Sequence, residues 1–304
     1  MLVILNSLIP VFAVIALGFI VRRTGFPGEE FWPPLDRINY YVLFPSLLCH
    51  TLAVADLSSF DVWPMAYALA AGLLSMVAFL MLSQRLRPLP GPEFSSVFQG
   101  AARWNSFVAL AAIASLFGAE GVTLAAVSFA VLVPIVNVLS VIILTRHGGR
   151  EPAGLGTVLG LVARNPLILA CIAGIFLNAT GIGLPGPLAV TAKILGDASL
   201  TLGLIAVGAG LRIGHAMRAK WVVLYTSALK LLLMPVLMMG WCHVFGVDGL
   251  PRLVVLICGA VPGATSSYIL ARQLGGDIDL MASLITGGTL FAVFSMPFML
   301  WAFG

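Results

Sequence analysis

Charge is what this sequence has least of. Of its 304 residues only 9% are Asp, Glu, Lys or Arg, against 60% hydrophobic, and the mean hydropathy is +1.07. A water-facing surface needs far more charge, so a soluble domain is excluded. Cysteine is scarce too: Cys49, Cys171, Cys242 and Cys258 fall singly inside apolar runs with no CxxC spacing. That argues against a disulfide framework or a metal site and leaves core packing. The motifs GxxxxGK[ST], HExxH and GxSxG do not occur, and the Gly196, Asp197 pair lacks a second catalytic Asp in a facing helix. Neither nucleotide-driven transport nor an intramembrane enzyme is indicated, and no cofactor is called for. The chain has 16 basic residues against 12 acidic ones and a pI near 9.1. Its Lys and Arg residues stand singly or in pairs between apolar runs, which is loop charge rather than a nucleic-acid surface.

Long apolar runs are what the chain has in abundance. A window of about 20 residues, enough for a helix to cross a bilayer, finds ten candidate spans. They run from Leu2 to Val21, Leu35 to Ala55, Val62 to Ser83, Phe94 to Phe117, Gly121 to Thr145, Val158 to Asn178, Leu188 to Leu211, Trp221 to Phe245, Leu253 to Leu274 and Leu280 to Ala302. The runs lack the period-two alternation of a membrane barrel, so the expected class is an all-α polytopic membrane protein. Met1 to Val21 has no basic residue before its apolar stretch and an Arg pair after it, so it is expected to remain as helix 1 rather than to be a cleaved signal. Arg22, Arg23, Arg37, Arg85, Arg87, Arg146, Arg150, Arg164, Arg212, Arg218 and Lys220 lie in or flank odd-numbered links, while the even ones hold only Arg252. By the retention of positive charge on the cytoplasmic side, both termini are expected outside, in a bacterial inner membrane.

The chain also repeats itself. Phe117 to Val127 (FGAEGVTLAAV) resembles Leu274 to Leu284 (LGGDIDLMASL), and Gly100 and Ala101 match Gly259 and Ala260. Five helices per half make the copies face opposite sides, which predicts an inverted five-plus-five repeat, 1–150 and 151–304.

Two spans carry small, polar or helix-breaking residues at their centres: QGAARWNSF from Gln99 to Phe107 and CGAVPGATSSY from Cys258 to Tyr268. Paired interruptions of this kind point to a transporter substrate site. Arg103 is the only Arg deep in a span, and its planar fork suits a carboxylate; Gln99, Asn105 and Ser106 add donors and acceptors. The other readings of Arg103 are a partner for a membrane carboxylate such as Asp197 or a side chain snorkelling to the interface. Pro262 and Gly263 are expected to break the ninth helix and free amides beside Thr265, Ser266 and Ser267, and a half-helix starting there favours an anion. Lys193 and Asp197, four apart on one face, are candidates for ion coupling or for a fixed pair. Asn137, Tyr40 and Tyr268 are secondary candidates, as are Lys230, Asn39 and His50, and Glu120, Asp277 and Asp279 are expected to cap helices.

The opening LIPVFAVIALGFIVRRTGF, the run LDRINYYVLFPSLL from Leu35, the run LGDASLTLGLIAVGAGL from Leu195 and the two interrupted spans resemble, end to end, the auxin efflux carrier family of bacterial permeases, relatives of the plant PIN carriers. The resemblance implies crossed, broken helices 4 and 9, in a fold similar to bile-acid symporters and NhaA-type antiporters. It further implies a scaffold of helices 1, 2, 6 and 7, a mobile transport part made of 3–5 and 8–10, and a homodimer. Helix 4 departs from the family in having no Pro between Phe94 and Phe117, so its break is expected to rest on Gly100 and the polar run. Thr201 stands where a Pro matching Pro45 would fall. The function expected is secondary transport of a small organic mono- or dicarboxylate by alternating access, coupled to H+ or Na+ or uncoupled. An anion channel or uncoupled facilitator is the alternative.

Overall fold

The computed structural model describes residues 2–56, 61–148, 163–212 and 220–304, together with 156 and 160. Arg150, Arg218, most of the link between the halves and the start of the sixth expected span lie outside the described residues. Every regular element described is helical. The elements are α1 (Leu2–Arg23), α2 (Trp32–Ile38), α3 (Phe44–Ala53), α4 (Val62–Leu86), α5 (Gly91–Ala102), α6 (Ser106–His147) and α7 (Pro166–Ala179). There follow α8 (Gly186–Ala209), α9 (Lys220–Ala228), α10 (Met234–Phe245), α11 (Gly249–Ala260), α12 (Ser266–Leu274) and α13 (Ile278–Phe303). Six stretches among the described residues are long and apolar enough to cross a bilayer. The protein is a multi-span, all-helical membrane protein.

Local chemistry explains where the apolar runs become several elements. The second and eighth expected spans each contain one π-turn, Asn39–Leu43 between α2 and α3 and Leu229–Leu233 between α9 and α10. Each turn ends just before a proline, Pro45 or Pro235. Proline has no N–H to return to the carbonyl four residues back, and shifting that stretch of backbone to a longer hydrogen-bond step absorbs the mismatch without ending the helix. In α6 the fourth and fifth expected spans join, and Gly118 bends the chain there with φ 60° and ψ −147°, a conformation that disfavours any Cβ. Asp277 caps α13 by accepting from the Leu280 N–H at 2.9 Å, as expected for an acid at a helix start.

α8 packs on α1 and α3, and α3 on α7; α4 packs on α10, and α11 on α6, α10 and α13, while α6 also touches α1, α3, α7 and α8. The α1–α8 contact is backbone on backbone: a Cβ at Gly208 would lie 1.8 Å from the Ile15 carbonyl oxygen. Small residues allow this approach in membranes, where no hydrophobic force drives helices together. Asn39 and Ser199 cross-link α2–α3 to α8, the Ser199 hydroxyl donating to Asn39 Oδ1 at 2.7 Å and Asn39 Nδ2 to the Ser199 carbonyl at 3.3 Å. Asn39 is thus an interhelical fastener. At the end of α1 Arg22 donates to the Ala209 carbonyl at 2.7 Å and to Glu29, whose carboxyl is held below its ordinary pKa by that hydrogen bond.

Candidate functional site

The two interrupted spans break and meet. α5 ends at Ala102, after which Arg103 adopts extended backbone (φ −84°, ψ 152°). Asn105 then opens α6, its Oδ1 accepting from the N–H groups of Phe107 and Val108 at 3.1 and 3.2 Å. The break therefore falls three residues beyond Gly100 and is set by the Asn105 cap, a strong helix-start signal that works without proline. On the other strand of the crossing α11 ends at Ala260, Val261 is extended (φ −74°, ψ 155°), and α12 starts at Ser266. The Asn105 N–H donates to the Pro262 carbonyl at 2.8 Å, joining one break to the other. A Cβ on Gly263 would lie 3.3 Å from the Gly100 carbonyl oxygen, so the small residue at 263 lets the two chains cross in contact.

Arg103 sits at this junction with 9% of its surface exposed. One terminal nitrogen donates to Asn137 Oδ1 at 2.8 Å and the other to Ser266 Oγ at 3.0 Å, so the guanidinium bridges α6 and α12. Its Nε has no hydrogen-bond partner among the described residues, and no carboxylate among them forms a salt bridge with it. Both partners are neutral. A buried cation left this way costs several kcal/mol, and a bound carboxylate would relieve that cost while accepting charge-assisted hydrogen bonds.

Beside the guanidinium lies a cavity of about 70 Å³, space for several waters or a small acid. Of the residues singled out from the sequence, Arg103, Asn105, Ser106, Thr265, Ser266, Asn137 and Tyr40 line it. Phe44, Trp104 and Phe107 supply aromatic walls, with Phe44 and Phe107 rings 4.8 Å apart. Gln99 and Ser267 are fully buried, yet they do not line the cavity and their side-chain polar atoms find no partner among the described residues. Pro262 and Gly263 contribute backbone at the crossing. Tyr268 lies under the Arg212 guanidinium, 5.5 Å from ring centre to carbon. Lys193 and Asp197 lie elsewhere, bonded to each other at 2.8 Å with 63% and 64% of their side chains exposed, on α8. Arg103 and Asp197 form no pair.

Sequence reasoning missed Asn165. Its Oδ1 caps α7 by accepting from Leu167 and Ile168 at 2.9 and 3.3 Å, which places its side chain near Tyr40, a residue that lines the cavity. The signal was present as Asn165 followed by Pro166, a capping residue and a first-turn proline. His50 is not among the residues that line the cavity.

Comparison with known proteins gives the same direction. Residues 155–300 match the family model described as membrane transport protein. An uncharacterized transporter of Methanothermobacter thermautotrophicus is 26% identical over 98% of this chain and 97% of its own length. The ileal sodium/bile acid cotransporter of Oryctolagus cuniculus is 35% identical over 91 residues, 30% of this chain and 26% of that protein. Its Homo sapiens counterpart is 47% identical over 53 residues, 17% of this chain and 15% of that protein. A chain of crossed, broken membrane helices, matched along nearly its whole length by a transporter and over residues 155–300 by the membrane transport protein model, is a membrane transport protein and not an enzyme.

Proposed function

We propose that this protein is a secondary carrier for a small organic anion, a mono- or dicarboxylate, and that Arg103 receives the carboxylate where the two broken helices cross. The observation that carries the reading is the buried guanidinium held by two neutral side chains, Asn137 and Ser266, at the wall of a small cavity. α12 begins at the same wall with no side-chain cap on its first amides, and that end of a helix dipole favours negative charge. Asn105, Ser106 and Thr265 are the further polar ligands in this reading, with Tyr40 opposite them. Gln99, Pro262, Gly263 and Ser267 shape the crossing.

Alternating access follows if the halves are inverted repeats and α4–α6 with α9–α13 rock against α1–α3, α7 and α8. Supporting this, Gly118 and Gly275 both have positive φ, 60° and 83°, at matching points of the proposed halves. An anion leaving a negative-inside cell gains about 2.3 kcal/mol per charge per 100 mV, so potential alone can drive export. Lys193 and Asp197 neutralise one another away from the cavity. Proton coupling through Asp197 is the alternative driving force, and Asp197→Asn with unchanged uptake and pH dependence would dismiss it.

The test is uptake of a panel of labelled small carboxylates into proteoliposomes, wild type against Arg103→Ala. Saturable uptake with counterflow, lost in the variant, is the result expected of the carrier. Non-saturating flux without counterflow would make it a channel. A Ser106→Cys reporter in a background lacking the native cysteines should react with an impermeant thiol reagent from either side of the membrane, whereas reaction from one side alone contradicts alternating access.

A further inference from the structure

The cavity does not use one further buried cation. Lys230 lies in the π-turn Leu229–Leu233, 2% exposed. Its ammonium donates to the Gly259 carbonyl at 3.1 Å, and no salt bridge to it is found among the described residues. Gly259 is next to last in α11, the half-helix that ends at the crossing. The last carbonyls of a helix have no intrahelical donor and carry partial negative charge. In carriers with interrupted helices, such ends are where a coupling cation is coordinated.

Three details give this carbonyl end the character of a cation site. A Cβ on Gly259 would lie 2.9 Å from Pro235 Cα, so the bare glycine lets α11 approach the helix bearing Lys230. The π-turn lengthens the hydrogen-bond step, with Met234 N–H returning to the Leu229 carbonyl, and thereby re-aims the side chains around Lys230. Two buried hydroxyls on the preceding turn of the same helix, those of Thr226 and Ser227, have no partner among the described residues, and neither does the Gln99 amide of α5. Gly100, next to Gln99, packs on Thr226, a Cβ there lying 2.9 Å from Thr226 Cγ2. Hydroxyl, amide and backbone carbonyl oxygens are the hard donors that suit a small monovalent cation.

We propose that the Lys230 ammonium is a resident cation in this place, so that the protein needs no sodium ion at the end of α11 and its transport is sodium-independent. A tethered charge neutralises the helix end in every step of the cycle, whereas a dissociable ion would bind and leave with the substrate. The role in transport rests on the carrier reading above, but occupancy of the site does not, and it is tested without any substrate.

Thermal unfolding of the purified protein is measured in NaCl and in choline chloride at equal ionic strength. The wild type should melt at the same temperature in both. Lys230→Ser, which removes the ammonium and leaves an oxygen, should gain a saturable sodium-dependent rise of about 2 °C or more between about 1 and 100 mM. Lys230→Arg should behave as the wild type does. A saturable sodium stabilisation of the wild type would overturn the proposal even if the serine variant fails to fold, and so would a folded serine variant with no response to sodium. If carboxylate uptake is found, its rate in the wild type should be equal within twofold in the two salts.

Discussion

Two pairs of charged side chains within the apolar spans of this protein have opposite fates. Arg103 and Lys230 are buried, 9% and 2% exposed, each held by neutral groups. Lys193 and Asp197 stand on an exposed face of α8 and neutralise one another one turn apart. A pair four residues apart on a helix contributes about 0.3 to 0.5 kcal/mol and asks nothing further of its surroundings. A buried charge without a counter-charge costs several kcal/mol and persists only where something else, a ligand or a helix end, compensates it. Arg103 lies in one helix break and Lys230 meets the carbonyl end of the helix that leads into the other, and that is where the account places function.

The comparison is broken most directly at Arg103. Arg103→Ala should lower carboxylate uptake about 100-fold or more, because both the charge and the two-pronged donor are lost, and Arg103→Lys should recover only part of it. A variant with undiminished uptake would return Arg103 to a purely structural role. Next in size is Asn137→Ala, which removes one of the two neutral holders and frees the guanidinium to swing. A rise in KM of about tenfold with little change in maximal rate is expected, matching one hydrogen bond to a charged group. Ser266→Ala removes the weaker holder and should raise KM about threefold. An equal loss in maximal rate from either substitution would mean that the residue serves folding or movement instead of binding.

The exposed pair should respond least. Lys193→Met with Asp197→Asn is expected to leave saturable uptake within about twofold and its pH profile in place, since a surface pair contributes little. A flattened pH profile would instead make Asp197 the proton carrier and dissolve the contrast between the two pairs.

Much of the fold was legible in the runs themselves. The apolar windows fall on helices, six of them long and apolar enough to cross a bilayer among the described residues, and the two interrupted spans are where the helices break. The break in α5–α6 was harder to place, because helix periodicity reads Gln99 and Arg103, four apart, as neighbours on one face. The helix ends between them: Arg103 is extended and lines the cavity, while Gln99 remains in α5 and turns away from it. The capping power of Asn105 decided this and could be weighed only once the partner break at Pro262 was in view. Ser266 and Ser267 separate for the same reason, being adjacent on a helix start and so facing different neighbours. Lys230 looked secondary because neither the π-turn nor the α11 carbonyl it meets is visible in a local window. The pairing of Asn39 with Ser199 spans 160 residues and is likewise a product of packing.

The most direct measurement is the rate of labelled carboxylate uptake into proteoliposomes, wild type against Arg103→Ala, across a range of substrate concentrations. The account predicts a saturating curve for the wild type and at most about one hundredth of that rate for the variant. Superimposable saturating curves from the two proteins would contradict it.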